Sequence, residues 1–431
     1  MAITGRLGFL AALASVFVGV LAPSWWGILA VLALLAVAAG IDLVLAGRLD
    51  RLRIERGGDR TVRLGETADS RVSLTNTGGR RVRGWLRDAW PPSAGAAADR
   101  HRIDVPPGDR RIVTTMLRPT RRGDRHAASV TVRSIGPLGL AARQRSRVLP
   151  STVRVLPPFG SRKHLPSRLA RLRELDGRRL ALIRGQGTEF DSLRDYVPGD
   201  DVRAIDWRAT ARRQAMVVRT WRPERDRHLL VVLDTARTAA GRVGDAPRLD
   251  AAMDAALLLA ALAARAGDRV DLLAYDRQVR ASVQAVGAPA LLPAFVDAMA
   301  TLEPELVELD VRGLLSAIFA RARHRALVVL LTSLDAAAAE QGLLTMLDPL
   351  VRRHQLLVAS VADPRVEGMA TGRGDAEAVY DAAAAERTRA ERQRVAEQLT
   401  RHGAEVVDSP PEDLPPRLAD RYLALKAAGR L

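Results

Sequence analysis

Two apolar runs in the first fifty residues constrain this chain more than any other feature. Leu7 to Ala22 is an unbroken stretch of apolar and small residues, Pro23-Ser24 interrupts it, and Trp25 to Ala46 forms a second run whose single charge is Asp42. The first run is slightly short for a bilayer and the second is ample. A cleaved signal peptide is the competing reading, because Arg6 precedes the first run and Val20-Leu21-Ala22 resembles a cleavage site. Pro23 after the cut, and a second span directly behind it, weigh against that reading. Residues 1–50 are therefore expected to form a transmembrane helical hairpin with spans at about 7–22 and 25–46.

Charge orients the hairpin. Arg6 lies before the first span, Arg48, Arg51, Arg53 and Arg56 crowd the end of the second, and the loop Pro23-Ser24-Trp25-Trp26 is uncharged. The positive-inside rule places both termini in the cytoplasm. Asp42, near the cytoplasmic end, is expected to reach water or to pair with an arginine such as Arg48; a functional intramembrane carboxylate is the alternative. The net charge of +17 is uneven. Residues 51–228 carry 40 basic and 19 acidic side chains, whereas residues 229–431 carry 24 and 28. Arginines next to an anionic leaflet account for such a block without nucleic acid, and an aromatic content of 4% leaves few platforms for stacking bases. The partner expected on this ground is the lipid membrane, not nucleic acid.

In residues 51–150 the periodicity is two. Thr61–Leu64, Arg71–Leu74 and Ala128–Arg133 alternate apolar with polar, and Arg111–Leu117 is β-branched. Turn sequences at 75–79, 106–109 and 122–124 separate them, so a small β-sandwich-like domain is expected. From residue 229 to 431 continuous apolar runs alternate with helical patterns. Leu229–Asp234, Val270–Asp276, Ala326–Ser333, Leu356–Val361 and Ala404–Val407 read as buried strands, with helices over 249–266, 289–302, 311–323, 375–402 and 414–428. That alternation predicts a doubly wound α/β domain around a parallel sheet, with ligands at the carboxyl ends of its strands.

This order, with Asp234-Thr235-Ala236-Arg237-Thr238 after the first strand, resembles the von Willebrand factor A fold. The resemblance implies a divalent-cation site of hard oxygen ligands, with Mg2+ as its cofactor. Residue by residue it carries over to Asp234 and Thr238, with Asp335 approximating a later aspartate at shifted spacing. Ala236 has lost a hydroxyl, and Asp310 is the nearest candidate for a ligand from another loop. Each missing oxygen weakens a hard-cation site, and the competing reading is that Asp234 caps a local turn.

Residues 151–228 join the two domains and hold the densest signal, a charged segment over 185–224. Leu193, Tyr196 and Val197 are expected on one face of a short helix ended by Pro198-Gly199. Asp200 or Asp201 then caps a second helix with Val202, Ile205 and Ala209 as its apolar stripe. Glu189, Asp191, Asp195, Asp200, Asp201 and Asp206 are interspersed with Arg194, Arg203, Arg208, Arg212 and Arg213, and Phe190, Tyr196 and Trp207 add aromatic rings. Two readings stand side by side: an ion-pair network that locks the linker, and a surface offered to a partner.

Absences narrow the chemistry. The chain has no cysteine, no phosphate-binding loop ending in Lys-Ser/Thr, no Gly-x-Ser-x-Gly elbow and no His-Glu-x-x-His motif. Gly185-Gln186-Gly187 lacks the strand–helix setting of a dinucleotide site and reads as a hinge. The central segment closely resembles the signature of the bacterial family called domain of unknown function 58. So do Arg118-Pro119-Thr120-Arg121-Arg122-Gly123, Gly136-Pro137-Leu138-Gly139-Leu140 and the ending Asp420-Arg421-Tyr422-Leu423-Ala424-Leu425-Lys426. The resemblance implies a membrane-anchored, non-enzymatic adaptor for an AAA+ ATPase of the MoxR type, in chaperone-like assembly or envelope stress. Other von Willebrand factor A-like membrane proteins are further candidate partners. The runner-up is a divalent-metal-dependent hydrolase using the carboxylates of the central segment, which would need two of them with pKa values pushed apart.

Overall fold

The computed structural model describes residues 2–21, 24–182, 189–222, 227–335, 342–372 and 374–431, with backbone alone at 176–182, 189–192 and 220–222. It divides into two compact units that meet in sequence between Leu156 and Pro157.

The first unit opens with two apolar helices, α1 (Gly5–Leu21) and α2 (Trp25–Leu45). Ser24 starts α2 by accepting the Trp26 amide on its hydroxyl. With the tight turn that follows it, α2 is long and apolar enough to cross a membrane, whereas α1 is a shorter apolar helix. Eleven strands complete the unit. The first six are β1 (Ala2–Ile3), β2 (Leu52–Gly58), β3 (Thr61–Arg63), β4 (Ala68–Asn76), β5 (Val82–Asp88) and β6 (Arg100–Val105). Then come β7 (Arg110–Leu117), β8 (Gly123–Ala127), β9 (Val130–Ile135), β10 (Ala141–Arg147) and β11 (Ser151–Leu156). They form sheets ordered β1-β10-β9-β5-β6, β2-β4-β7 and β3-β11-β8, antiparallel except for the pairing of β11 with β3. Alternation sends Leu52, Ile54, Val72 and Leu74 from one sheet, and Val82, Leu86, Ile103, Val105, Val130 and Val132 from another, into one core. The strand 151–156, assigned to the linker from sequence, pairs with β8 and β3 and so belongs to this unit.

Asp42 is where the structure departs furthest from expectation. Its carboxylate is fully buried and accepts the backbone amides of Leu138 (2.7 Å), Leu140 (2.7 Å) and Ala141 (2.8 Å). It reaches neither water nor Arg48, whose guanidinium is 3.7 Å from Asp50 instead. The Gly136-Pro137-Leu138-Gly139-Leu140 turn wraps the carboxylate closely. A Cβ at Gly136 would stand 2.1 Å from Asp42 Oδ1, and Gly139 has φ +74°. Thr4 Oγ1 donates to the Gly139 carbonyl at 2.6 Å, and Arg143 Nε donates to the Leu43 carbonyl at 3.1 Å. The apolar helix α2 and the β-sheet are thereby latched together. Arg56, counted from sequence among the arginines at the membrane border, is instead buried in an ion pair with Asp88.

The second unit starts with α3 (Leu165–Leu182), followed by an antiparallel pair, β12 (Glu189–Asp195) and β13 (Val217–Arg222), with α4 (Trp207–Arg213) between them. Beyond it lie β14 (His228–Asp234), the small hairpin β15 (Arg242–Val243) and β16 (Ala246–Pro247), α5 (Arg248–Arg265), β17 (Arg269–Tyr275) and β18 (Val279–Val283). Next come α6 (Ala288–Ala300), α7 (Val311–Arg321), β19 (Leu327–Leu331), α8 (Leu344–Arg353) and β20 (Gln355–Val361). The chain ends with α9 (Pro364–Ala370), α10 (Ala376–Arg401), β21 (Glu405–Ser409) and α11 (Leu414–Ala427). The six-stranded sheet runs β18-β17-β14-β19-β20-β21 and is parallel except for β18. Its central strands are buried on both faces, which is why they read as unbroken apolar runs. Val395 and Leu399 of α10 and Leu314 and Ile318 of α7 share a core with the sheet residues Leu230, Val328 and Val358. Alanine- and leucine-rich α5 is itself largely buried and packs against the sheet and α11.

Candidate functional site

The charged segment folds as strand, turn and helix. Leu193 lies in strand β12, and Tyr196 and Val197 follow its end, so the helix expected over them is absent. Pairing with β13, from Asp195↔Val217 to Glu189↔Arg222, overrides their helix-like spacing. Tyr196 continues this ladder by donating its amide to the Met216 carbonyl at 2.8 Å. Two short turns of helix replace the single second helix. Asp201 caps a 3-10 turn over Val202–Ala204 by accepting the Arg203 amide at 2.9 Å. Asp206 caps α4 by accepting the amides of Arg208 and Ala209, both at 3.0 Å.

The acidic residues of this segment are largely spent on its own shape. Arg194 grips Asp200 with two parallel bonds, Nη1–Oδ2 2.8 Å and Nη2–Oδ1 2.5 Å, and Asp200 also accepts the Val197 amide at 2.9 Å. Arg194, helped by that amide, holds the Asp200 carboxyl below its ordinary range. The Ala209 amide and then Arg219, whose Nε is 2.9 Å from Oδ2, do the same to Asp206. Asp195 is exposed. The side chains of Glu189, Phe190 and Asp191, and residues 185–187, lie outside the described residues.

What the segment leaves in solvent is apolar and cationic. Trp207 is 65% exposed, and Val197, Val202 and Met216 of the same segment are exposed too. Arg203, Arg208, Arg212 and Arg213 are exposed too, with no side-chain ion pair among the described residues. Ile205 alone of the expected stripe is buried, where it bridges to Val218.

The second candidate lies at the carboxyl end of β14. Asp234 is buried, its Oδ1 accepts the Ala236 amide at 2.8 Å, and its Oδ2 accepts the hydroxyls of Thr332 (2.6 Å) and Thr238 (3.3 Å). Burial pushes its pKa up, against the pull of those donors. Thr238 is therefore where the resemblance places it, and Thr332, overlooked in the sequence, supplies a hydroxyl from the loop after β19. Asp335 is exposed and takes no part in lining the hollow around Asp234. Asp310 caps α7 through the Gly313 amide instead of turning to Asp234. Among the described residues no three His, Asp or Glu side chains group as metal ligands. One carboxylate whose oxygens already accept three donors is a poor donor set for Mg2+, which seeks several free oxygens.

Residues 192–405 match the family described as Protein of unknown function DUF58. The chain thus carries a domain of this family, which takes in most of the charged segment and the sheet as far as the start of β21. It is similar to the uncharacterized protein Rv1480 of Mycobacterium tuberculosis, 28% identical over 196 residues, 44% of this chain. That alignment spans 60% of the mycobacterial protein's length. The uncharacterized protein YeaD of Bacillus subtilis is 29% identical over 113 residues, 26% of this chain and 28% of its own. Among solved structures, the CARDB domain of a Pyrococcus furiosus protein aligns with 26% of this chain and 90% of its own at 17% identity. Its TM-score of 0.20 is too low to carry an argument.

Proposed function

We propose that this protein is a non-enzymatic adaptor, anchored in the bacterial inner membrane by α1 and α2 with both termini in the cytoplasm. Its partner is a MoxR-type AAA+ ATPase, and the pair act in chaperone-like assembly or envelope stress. The observation that carries this reading is the division of labour in the 193–219 segment. Asp200, Asp201 and Asp206 are consumed in caps and ion pairs, while Trp207 and arginines without an ion pair among the described residues face solvent. Tryptophan and arginine are the side chains that most often dominate binding energy at interfaces. The latch at Asp42 gives the anchor a stiff connection to the first unit. The strand order of the six-stranded sheet, with Asp234 at a carboxyl end, supports a von Willebrand factor A-like reading of the second unit.

The hydrolase alternative draws no support from the same geometry. Asp200 and Asp206 are both pushed in one direction, downwards, and both are occupied by donors. An acid–base pair needs its members pushed apart. Co-purification of the ATPase from detergent extracts, with and without ATP, tests the adaptor. Trp207→Ala and Arg203→Ala should keep the parental Tm and lose the ATPase. Capture at parental strength by both variants refutes the assignment of the surface.

A further inference from the structure

The outer face of the five-stranded sheet in the first unit is built around an exposed tryptophan ringed by arginines. Alternation along β5 turns Val82 and Leu86 into the core and leaves Arg83, Trp85 and Arg87 outside. The register places Arg102 of β6 and Arg133 of β9 on either side of Trp85, and Arg100 and Thr131 on either side of Arg87. Trp85 is 47% exposed. Two aspartates border the face and both are taken. Asp104 is held by Arg81, with Nε–Oδ1 2.5 Å and Nη2–Oδ2 2.9 Å, and Asp99 by Arg87 at 2.9 Å. Arg133 bonds the neutral Gln144 at 2.7 Å. Arg83, Arg100 and Arg102 are exposed, with no ion pair among the described residues. Six arginines against two aspartates leave the face strongly cationic.

The face begins at the end of the apolar helix α2. A Cβ at Gly47, just beyond the last residue of α2, would stand 2.5 Å from the Arg81 carbonyl oxygen, and Arg80 donates to the Val44 carbonyl. Trp85 is four residues further along the strand, about 13 Å at roughly 3.3 Å per residue. The field of an anionic leaflet extends about 8–10 Å into solution at moderate salt. With α2 as the anchor, Arg83 stands inside that field and the Trp85 row at its border. Ile3 is 75% exposed and Leu138 52%, and they lie on the strand and the turn beside the same helix end. Apolar side chains at the helix end, then tryptophan, then arginine is the order that a bilayer favours from its acyl border outward through the headgroups. A soluble acidic partner requires no such order. Arginine forks also match phosphate oxygens in pairs. In a zwitterionic lipid the ammonium beside each phosphate cancels that attraction, so the face selects lipids of net negative charge.

We propose that this face lies against the anionic lipid headgroups of the leaflet that α2 enters, with Trp85 at headgroup level and Arg83, Arg102 and Arg133 on lipid phosphates. It rests on the anchor reading above and goes beyond it, because an anchor needs only its helices. The chain has no cysteine, so one introduced thiol carries one nitroxide. Ser146→Cys marks the arginine face, since Ser146 pairs with Thr131 in the row of Arg87. Thr114→Cys marks the exposed side of β7, in the sheet across the core. The full chain is placed in nanodiscs of phosphatidylcholine, with or without phosphatidylglycerol, doped with a lipid that carries a nickel chelate on its headgroup. Relaxation of each nitroxide by the nickel is then measured. With phosphatidylglycerol, the Ser146→Cys label should relax about threefold more than the Thr114→Cys label. Omitting phosphatidylglycerol, or adding Arg83→Gln/Arg102→Gln/Arg133→Gln at unchanged Tm, should bring that ratio back towards one. Equal relaxation of the two labels in phosphatidylglycerol discs overturns the proposal, as does a ratio that the arginine variant leaves intact. The comparison of labels in the parent stands whether or not the variant folds. A Ser146→Cys label that phosphatidylglycerol leaves mobile and soluble polyglutamate immobilises assigns the face to an acidic protein, which also overturns the lipid choice. A chain that fails to co-elute with the discs refutes the anchor and this face with it; equal relaxation in discs that carry the chain refutes the face alone.

Discussion

Lys426 is one of two lysines in a chain whose other 64 basic residues are arginine. Its ammonium is buried against Asp268 Oδ1 at 2.7 Å, with side-chain exposures of 7% and 3%, and Tyr422 donates its hydroxyl to the other oxygen of Asp268. The triad ties α11 to the loop between α5 and β17. Lys426→Met keeps the volume of the stem and removes the charge, so Asp268 is left as a buried carboxylate with one neutral donor. Breaking a buried pair in this way costs about 3–5 kcal/mol. At about 2–4 °C per kcal/mol for a unit of this size, that is a fall in Tm of roughly 6–20 °C. The pair as a whole is a different matter, because desolvation offsets most of its attraction. The triple variant Asp268→Leu/Tyr422→Phe/Lys426→Met should therefore return to within about 2 kcal/mol of the parent. Thermal or denaturant unfolding of the parent, the single and the triple variant measures both steps. A single variant that loses less than about 1 kcal/mol, or a triple no more stable than the single, would refute the buried-pair reasoning.

Two further outcomes follow from other buried groups. Asp42→Ala should expose the amides of Leu138, Leu140 and Ala141 to hydrogen exchange and destabilise the first unit by about 2–6 kcal/mol, since two buried donors and one part-buried donor lose their acceptor; persistent protection of those amides would contradict the latch. His354 is buried against Phe319, and burial, with Arg353 and His228 adding to it, lowers its pKa below the ordinary 6.5. As pH falls through 6.5 the unfolded chain takes up that proton first, so stability is lost on acidification, and His354→Phe should flatten a plot of Tm against pH in that window.

Much of the second unit was legible because its strands are buried on both faces and interrupted by amphipathic helices, a pattern that survives without tertiary knowledge. The charged segment was not. Leu193, Tyr196 and Val197 have helical spacing, and only the pairing of β12 with a strand more than twenty residues later decides otherwise. Thr332 was overlooked because nothing local marks a threonine after an apolar strand as the partner of a carboxylate 98 residues away. Asp42 misled for the same reason. Its partners are backbone amides, which every sequence contains, and Gly136 and Gly139 are the trace that a close approach leaves in the amino-acid sequence. The roles of Trp207 and the exposed arginines could be raised from composition. Which carboxylates were free to join them depended on caps that form only once the turns exist.

The Asp42 latch also imposes an order on biogenesis. Its acceptor and its first donor are separated by 96 residues, so α2 leaves the ribosome well before the turn that satisfies it. At ordinary synthesis rates the interval is roughly 5–20 s; with α2 as the anchor proposed above, a lone carboxylate then sits at the end of a newly inserted helix. On that reading insertion of α2 must tolerate the charge unaided, which favours a position at the edge of the bilayer over one in its middle. When Leu138 to Ala141 arrive, an anchored α2 would let them close on Asp42 only from the side of the membrane where the β-strands are folding. On that reading the latch would serve as a proofreading step for topology: a helix inserted the wrong way round would leave its carboxylate and the three amides on opposite faces of the bilayer.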